Sequence, residues 1–401
     1  MTAGTPFAVG DRVEARTGPV AHGGHVVARV RPPSSAVEPV ETRDVVVFVR
    51  HALPGELVIV EITEVSKTFL RGDAVEVLEA SPDRVAAPCP LAHPDGCGGC
   101  DFQHVALPAQ RRLKADVVAE QLRRLAGIEL LPVVEPVETP ETSGGLRWRT
   151  RMQYVALPDS GRGLRKHRSH DVIEVEDCLI AAPDARATGT ATGSATDVVE
   201  HVLGHDFRVA ADGFWQVHPE APRVLVEAVL AALEPRPGER ALDLYAGVGL
   251  FSAFLAEAVG RAGGVVTIEG DRRASELAGE NLAAFPQAAV RHGRVDHVLA
   301  QGFGSQRNVD LVVLDPPREG AKKKVVDAIA ALGPRAVAYV ACDPAALARD
   351  LAYFRDAGYV LADLRAFDLF PMTHHVECVA HLVKAGPEGA RRPAEAEQAH
   401  P

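Results

Sequence analysis

Cys342 stands in Cys342-Asp343-Pro344, directly after the apolar run Ala336-Val337-Ala338-Tyr339-Val340. A buried cysteine is usually inert packing. At the carboxyl end of a parallel strand, where a helix begins, it is accessible and its thiol pKa is lowered, which makes a nucleophile. Glu377 closes the stretch Asp368-Leu369-Phe370-Pro371-Met372-Thr373-His374-His375-Val376-Glu377. Alone it reads as a surface carboxylate; its company makes it a candidate proton acceptor. Asp315 opens Asp315-Pro316-Pro317-Arg318-Glu319-Gly320 after the apolar run Leu311-Val312-Val313-Leu314. Two prolines stiffen the loop behind that carboxylate, which is suited to grip a polar cofactor or the edge of a base turned out of its stack. A purely structural loop is the alternative.

The stretch Asp243-Leu244-Tyr245-Ala246-Gly247-Val248-Gly249 lies between another apolar run and a helical pattern. Glycines here let the backbone approach a nucleotide-like ligand. The pattern is Gly-x-Gly, with no phosphate-binding Lys after it. Glu269 ends the next apolar run, Val265-Val266-Thr267-Ile268-Glu269, where a carboxylate can accept hydrogen bonds from both ribose hydroxyls. Together they favour an adenosine ligand over a plain tight turn.

These groups need a scaffold. From about residue 238, buried strands alternate with helical stretches, the mark of a doubly wound parallel sheet with ligands at the carboxyl ends of its strands. Residues 7 to 82 read instead as short strands broken by Gly and Pro: Gly10–Ala15, Gly24–Arg31, Asp44–Val49, Leu57–Val65 and Asp73–Leu78. Such runs suggest a small barrel of the oligonucleotide-binding type, with a generic β-module as the alternative. Between the two, Leu107, Leu113, Val117, Leu122 and Leu125 recur at helical spacing, and Gly127 suits a helix stop. The expected division is a barrel over 1–83, a mixed α/β cysteine-bearing region over 84–200, a Rossmann-like domain over 201–385 and a disordered tail over 386–401. Two copies of Val-Glu-Pro-Val-Glu-Thr, Val37–Thr42 and Val134–Thr139, read as surface loops, and 181–196 reads as a flexible connection.

At 401 residues, with 47% hydrophobic and 24% charged, the chain is an ordinary multidomain globular protein. No apolar run is long enough to span a bilayer and no signal peptide is visible, so the cytoplasm is expected, with no membrane and no obligate protein partner in view. The net charge of −11 argues mildly against nucleic acid, yet a local basic stripe suffices. Arg147, Arg149, Arg151, Arg162, Arg165, Lys166 and Arg168 form one, with Trp148, Tyr154, His167 and His170 placed to stack on bases; a solvated sheet face is the equal alternative. The six cysteines include Cys89, Cys97 and Cys100 in Cys-x7-Cys-x2-Cys, with Cys178 further on.

With these motifs the chain resembles the RNA uracil-5-methyltransferase family. The Asp-Pro-Pro-Arg-x-Gly loop, the Tyr-x-x-Cys-Asp strand end and Asp-x-Phe-Pro-x-Thr-x-His-x-Glu occur in the family's order. The resemblance implies S-adenosylmethionine as cofactor, contacted by Gln216 (in Phe214-Trp215-Gln216-Val217-His218), Tyr245, Gly247, Gly249, Glu269 and Asp315. It implies Cys342 as nucleophile and Glu377 as base. His218 departs from the family's Asn, Ala341 from Ser, Ala346 from Thr, Ala246 from Cys, and Met372 from a Gln, His or Tyr. Arg294 stands where the family often has an Asp near the adenine, so that contact is left unassigned.

The 23S rRNA branch resembles this chain further. Its barrel is a TRAM domain, and its three close cysteines and one distant cysteine ligate a [4Fe–4S] cluster, here implied at Cys89, Cys97, Cys100 and Cys178. A four-thiolate zinc site is the alternative on spacing alone. In that branch the helix after the third cysteine packs on the catalytic domain. The function implied is methylation of uridine carbon 5 in RNA, with 23S rRNA as partner. A tRNA T-loop enzyme of the same chemistry is the near alternative, and a catalytically silent RNA-binding iron–sulfur protein the distant one. A DNA cytosine methyltransferase would carry Pro-Cys, whereas Cys342 follows Ala341.

Overall fold

The computed structural model describes residues 7–31, 44–139, 142–158, 161–187, 197–302 and 309–385. Val37–Thr42 and the tail 386–401 lie outside the described residues. The chain forms two compact units, Met1–Val118 with Val133–Thr192 and Asp368–Val376, and Ala119–Pro132 with Gly193–Phe367 and Glu377–Pro401.

In the first unit, β1 (Arg12–Ala21), β2 (His25–Val30), β3 (Val45–Arg50), β4 (Leu57–Val65) and β5 (Leu70–Glu79) close a barrel in the order β1-β2-β3-β5-β4, with β1 paired to β4. The reason is a two-residue period: Val26, Ala28 and Val30, Val47 and Val49, and Val58, Val60 and Ile62 all face one core. Only β3 and β5 run parallel among these pairs. Gly72 lies where β4 and β5 cross closely, since a Cβ there would sit 2.6 Å from the Glu61 carbonyl oxygen. At the barrel's end the buried Glu56 carboxylate accepts from Arg84 Nε and Nη2, both at 2.6 Å, and from Leu53 N at 2.8 Å.

Helix α1 (Leu107–Gln121) presents Ala109, Leu113 and Val117 to a core with Val20, Leu53, Phe102 and Val105. It passes into a π-helical turn, Leu122–Ala126, which Gly127 ends in the left-handed region (φ 64°). Beyond it come β6 (Val134–Pro136), β7 (Arg149–Met152), β8 (Val155–Ala156), β9 (Arg162–Arg165), β10 (Val172–Glu174) and β11 (Ala181–Ala187). Of these, β7 to β11 form the small sheets β10-β9-β8 and β11-β7. The flexible connection expected from 181 is corrected as far as Ala187: β11 runs parallel to β7, and Arg149 N donates to Ile180 O at 2.7 Å, fixing its start. Residues 188–196 lie outside the described residues. Two expected stacking platforms are also corrected. Trp148 is fully buried, edge-on to Phe370 at 5.9 Å, and buried Tyr154 lies under the Arg162 guanidinium at 4.7 Å.

In the second unit a hairpin, β12 (Val198–Val202) and β13 (His205–Val209), precedes α2 (Ala221–Leu233). Then follow β14 (Arg240–Leu244), α3 (Leu250–Val259), β15 (Gly264–Glu269), α4 (Arg272–Asn281), β16 (Ala288–His292), α5 (Val295–Gln301), β17 (Leu311–Leu314), α6 (Lys322–Leu332), β18 (Ala336–Ala341), α7 (Pro344–Asp356), β19 (Tyr359–Asp368) and β20 (Glu377–Lys384). The strands lie in the order β16-β15-β14-β17-β18-β20-β19, parallel up to β18, with β20 antiparallel between β18 and β19. β14, β17 and β18 are apolar apart from the exposed first residue Arg240 and the buried Asp243, because they are covered on both faces. The direction of winding reverses between β14 and β17, which opens a crevice at their carboxyl ends. On α7, Arg355 donates to Ala126 O and ties the π-helical turn to this unit. No helix among the described residues is long and apolar enough to cross a membrane.

Candidate active site

The strand ends deliver the site residues to one edge. Tyr245 follows β14, Glu269 ends β15, Asp315 follows β17 and Cys342 follows β18. Glu377 begins β20, whose reversed direction brings its first residue to that same edge. The Ala341↔Cys378 register, continued by one step, sets Cys342 level with Glu377, and Phe367 flanks Glu377 on the other side. Residues separated by most of a hairpin and a helix thus meet through register alone.

Their charges are mutually felt. Burial, then Glu377 and Asp315, push the Cys342 thiol up to about 12, against the pull of Arg318. The lowered thiol pKa expected from a helix start is therefore corrected. Asp343, the N-cap of α7, spends its carboxylate on Ala346 N at 2.8 Å and adds a further negative charge beside the sulfur. Buried Glu377 is raised well above the usual carboxyl range by burial and by Asp315, with Arg318 again opposing. Burial, with Asp243 adding to it, pushes Asp315 up to about 7. Such a set favours stored protons over charge in the crevice. Arg318, to which the sequence reading gave no role, is the cation acting on both Cys342 and Glu377; its place in the Asp-Pro-Pro-Arg stretch was the available signal.

The loop that carries Asp315 and Arg318 is fixed from behind. Asp350 on α7, fully buried, accepts from Ala321 N at 2.7 Å, Lys322 N at 3.1 Å and Tyr339 Oη at 2.8 Å. Arg349 donates to Glu319 O at 2.8 Å. This support was not visible in sequence, because a lone Asp in a helix has no signature.

The cofactor residues inferred from sequence also converge. Glu269 Oε2 accepts from Gly247 N at 2.7 Å and Oε1 from Asp271 N at 2.6 Å, so its carboxylate faces the Gly-rich turn. Tyr245 (φ 62°) and Gly249 (φ 89°) both take the left-handed region there, and Gly249 caps α3. Gln216 Nε2 reaches Asp315 Oδ2 at 3.5 Å, which brings the Phe214–His218 stretch to the crevice. His218, at the family's Asn position, is buried and accepts from Glu220 N through Nδ1 at 3.2 Å. Arg294 is an exposed N-cap of α5 paired with Asp296 at 3.2 Å. Burial, then Asp296 (also held by Lys324 at 3.1 Å) and Asp350, raise the Tyr245 phenol to about 12. A carboxylate offered to a ribose, a close-approach turn and a helix N-terminus suit an adenosine-bearing cofactor.

In the first unit, Cys89, Cys97, Cys100 and Cys178 line one cavity of ≈1060 Å³, with Gln103, Arg149 and Lys166 on its wall. Gly98 allows the turn to press against β9's extension: a Cβ there would lie 2.5 Å from His167 N. Burial raises the Cys97, Cys100 and Cys178 thiols, Cys100 to about 12, and neighbouring cysteines of the set raise each further. Among the described residues no three His, Cys, Asp or Glu side chains are close enough to hold a single metal ion. The donor set is four thiols around a shared space.

Comparison with known proteins agrees with this geometry. The tRNA (Uracil-5-)-methyltransferase family matches residues 185–385 and the TRAM domain matches residues 6–75. An uncharacterized RNA methyltransferase of Streptomyces avermitilis is 46% identical over 94% of this chain and 99% of its own length. One of Bifidobacterium longum is 37% identical over 84% of this chain and 91% of its own. The crystal structure of Pyrococcus abyssi tRNA (uracil-54, C5)-methyltransferase with S-adenosyl-L-homocysteine covers 84% of this chain and 95% of its own with a TM-score of 0.62. At 22% identity that likeness concerns the fold. The strand-end constellation and these relatives together establish that the chain belongs to the tRNA (Uracil-5-)-methyltransferase family, S-adenosylmethionine-dependent enzymes that methylate RNA.

Proposed function

We propose that the chain methylates carbon 5 of a uridine in 23S rRNA, with Cys342 as nucleophile and Glu377 as base. The observation that carries this reading is the level placement of Cys342 and Glu377 across β18 and β20, within mutual electrostatic reach. Carbon 5 of uracil is a poor nucleophile. Addition of the Cys342 thiolate to carbon 6 makes the ring an enolate, with its electron density at carbon 5. S-adenosylmethionine supplies the methyl group as an electrophile. Once carbon 5 is methylated, its remaining proton passes to the Glu377 carboxylate; the electrons of that C–H bond re-form the 5,6 double bond and expel Cys342. Glu377 must be ionised to act, and Arg318 favours that form.

Gln216, Tyr245, Gly247, Gly249, Glu269 and Asp315 would hold the cofactor. Cys89, Cys97, Cys100 and Cys178, four thiols lining one cavity, would hold a [4Fe–4S] cluster, with a four-thiolate zinc site as the alternative. No step above requires electron transfer, so such a cluster would serve folding or RNA docking. The resemblance of the barrel and these cysteines to the rRNA branch is what favours 23S rRNA, with the tRNA T-loop as the alternative; a cytoplasmic location goes with either substrate. The test is mass mapping of 5-methyluridine in rRNA and tRNA from a deletion strain. Loss in 23S rRNA is expected; loss from the tRNA T-loop moves the substrate, and no loss in either overturns the reading. In vitro, Glu377→Gln should accumulate a covalent protein–RNA adduct and Cys342→Ala should form none.

A further inference from the structure

Residues Asp368–Val376 belong to the first unit, although Phe367 and Glu377 at their two ends are paired with each other in the sheet of the second. What holds this segment is polar and buried. Lys114 Nζ, with its side chain wholly buried, donates to Asp368 Oδ1 at 2.6 Å and to Phe370 O at 3.0 Å. Gln110, equally buried, donates to Phe102 O at 3.0 Å and Val105 O at 2.8 Å, and its Oε1 accepts from Met372 N at 2.8 Å. Phe102 N donates to Met372 O at 2.9 Å. Asp101 Oδ2 pairs with His374 Nδ1 at 2.6 Å and accepts His374 N at 3.3 Å.

Every second residue, Asp368, Phe370, Met372 and His374, is therefore gripped. A wholly buried ammonium is kept only where it is paired and hydrogen-bonded, and an apolar side chain would fill the same space on α1 at lower cost. That expense is out of proportion for a surface connection and sits directly upstream of Glu377.

We propose that Lys114, Gln110 and Asp101 are positioning residues for Glu377. They fix the segment whose next residue is the base, so that its carboxylate is presented to the carbon-5 proton. The proposal rests on Glu377 being that base. Its signature is a split between steps. Addition of Cys342 and methyl transfer do not use the Glu377 carboxylate, whereas breakdown of the methylated adduct does.

The experiment follows both steps in single turnovers of the full-length protein on RNA from a strain lacking the gene, with tritiated S-adenosylmethionine. Asp101→Asn and Gln110→Leu are compared with the double variant K114M/D368N and with Glu377→Gln as reference. The double variant removes the buried pair together and leaves Arg111, 3.9 Å from Asp368, its other partner Glu138 at 3.5 Å. The expected result is methyl transfer within about twofold of wild type and adduct breakdown slowed by roughly 10- to 100-fold, the cost of a small misplacement. Cofactor affinity by calorimetric titration should be unchanged. Wild-type adduct breakdown in these variants overturns the proposal. So does an equal fall in methyl transfer, cofactor affinity and breakdown, which would mark a purely structural role. If Glu377→Gln itself accumulates no adduct, the assignment of the base fails instead.

Discussion

Alkylation of Cys342 offers a quantitative check on the electrostatics of the crevice. Burial, then Glu377 and Asp315, push this thiol up to about 12. A free cysteine titrates near 8.5, so at about pH 8 roughly a quarter of it is thiolate, against about 10⁻⁴ of Cys342. Because only the thiolate reacts, iodoacetamide should label Cys342 more slowly than a free cysteine by on the order of 10³. Timed quenching and peptide mass spectrometry give the rate from about pH 7 to about pH 11. Its logarithm should climb with unit slope throughout. Arg318→Met removes the opposing cation and should slow labelling further. Asp315→Asn should speed it above about pH 7, where the wild-type carboxyl is ionised. The same shift has a stability consequence of defined sign. The folded state keeps the Cys342 proton where the unfolded chain loses it, so this contribution is complete below about pH 8.5 and drains away as pH rises toward 12. A labelling rate that levels off below about pH 9, or equals that of free cysteine, would refute this account of the site.

Other outcomes follow from packing and pairing. Trp148→Ala should cost about 3–5 kcal/mol in urea unfolding, because the indole is wholly buried against Phe370. A cost under about 1 kcal/mol would instead fit the exposed stacking role. Arg84→Met strands the Glu56 carboxylate, whose side chain has no exposure, and should cost about 3–5 kcal/mol at neutral pH. Burial alone would raise Glu56, but Arg84 and the Ser81 and Leu53 amides outweigh it and hold it below its ordinary value. Stability from this pair is thus present above about pH 4.3 and lost as pH falls through the folded value, so the variant and wild type should converge in acid. Gly249→Ala puts a Cβ at φ 89°, 3.2 Å from Leu282 Cδ1, and should cost about 1 kcal/mol and weaken cofactor binding in a calorimetric titration.

The sheet, the barrel and the strand-end motifs were legible because each is written as a local period. The two-residue alternation around Val58, Val60 and Ile62 gives the barrel, and the unbroken run at Ala336–Val340 gives a covered parallel strand. The state of Cys342 was not legible. Its helix-start position argues for a low pKa, but burial and then Glu377, Asp315 and Asp343 outvote that position, and Glu377 arrives only through the β18–β20 register. Trp148 misled for a similar reason. An aromatic among arginines looks like a stacking platform until its partner, Phe370, arrives from far along the chain. Asp350 and Lys114 were invisible because each is a single polar residue in a helical pattern, made meaningful only by what the fold buries it against.

The closure of the barrel, with β1 returning to β4, has a bearing on how this module meets other molecules. A closed sheet has no free edge, so no foreign strand can lengthen it by backbone pairing. Whatever the module recognises must be read by side chains and turns on its outer surface. Recognition and integrity are then separable: outward-facing residues can drift toward a new ligand while the inward set of Val47, Val49, Val58 and Val60 stays untouched. The barrel can be retuned without being rebuilt.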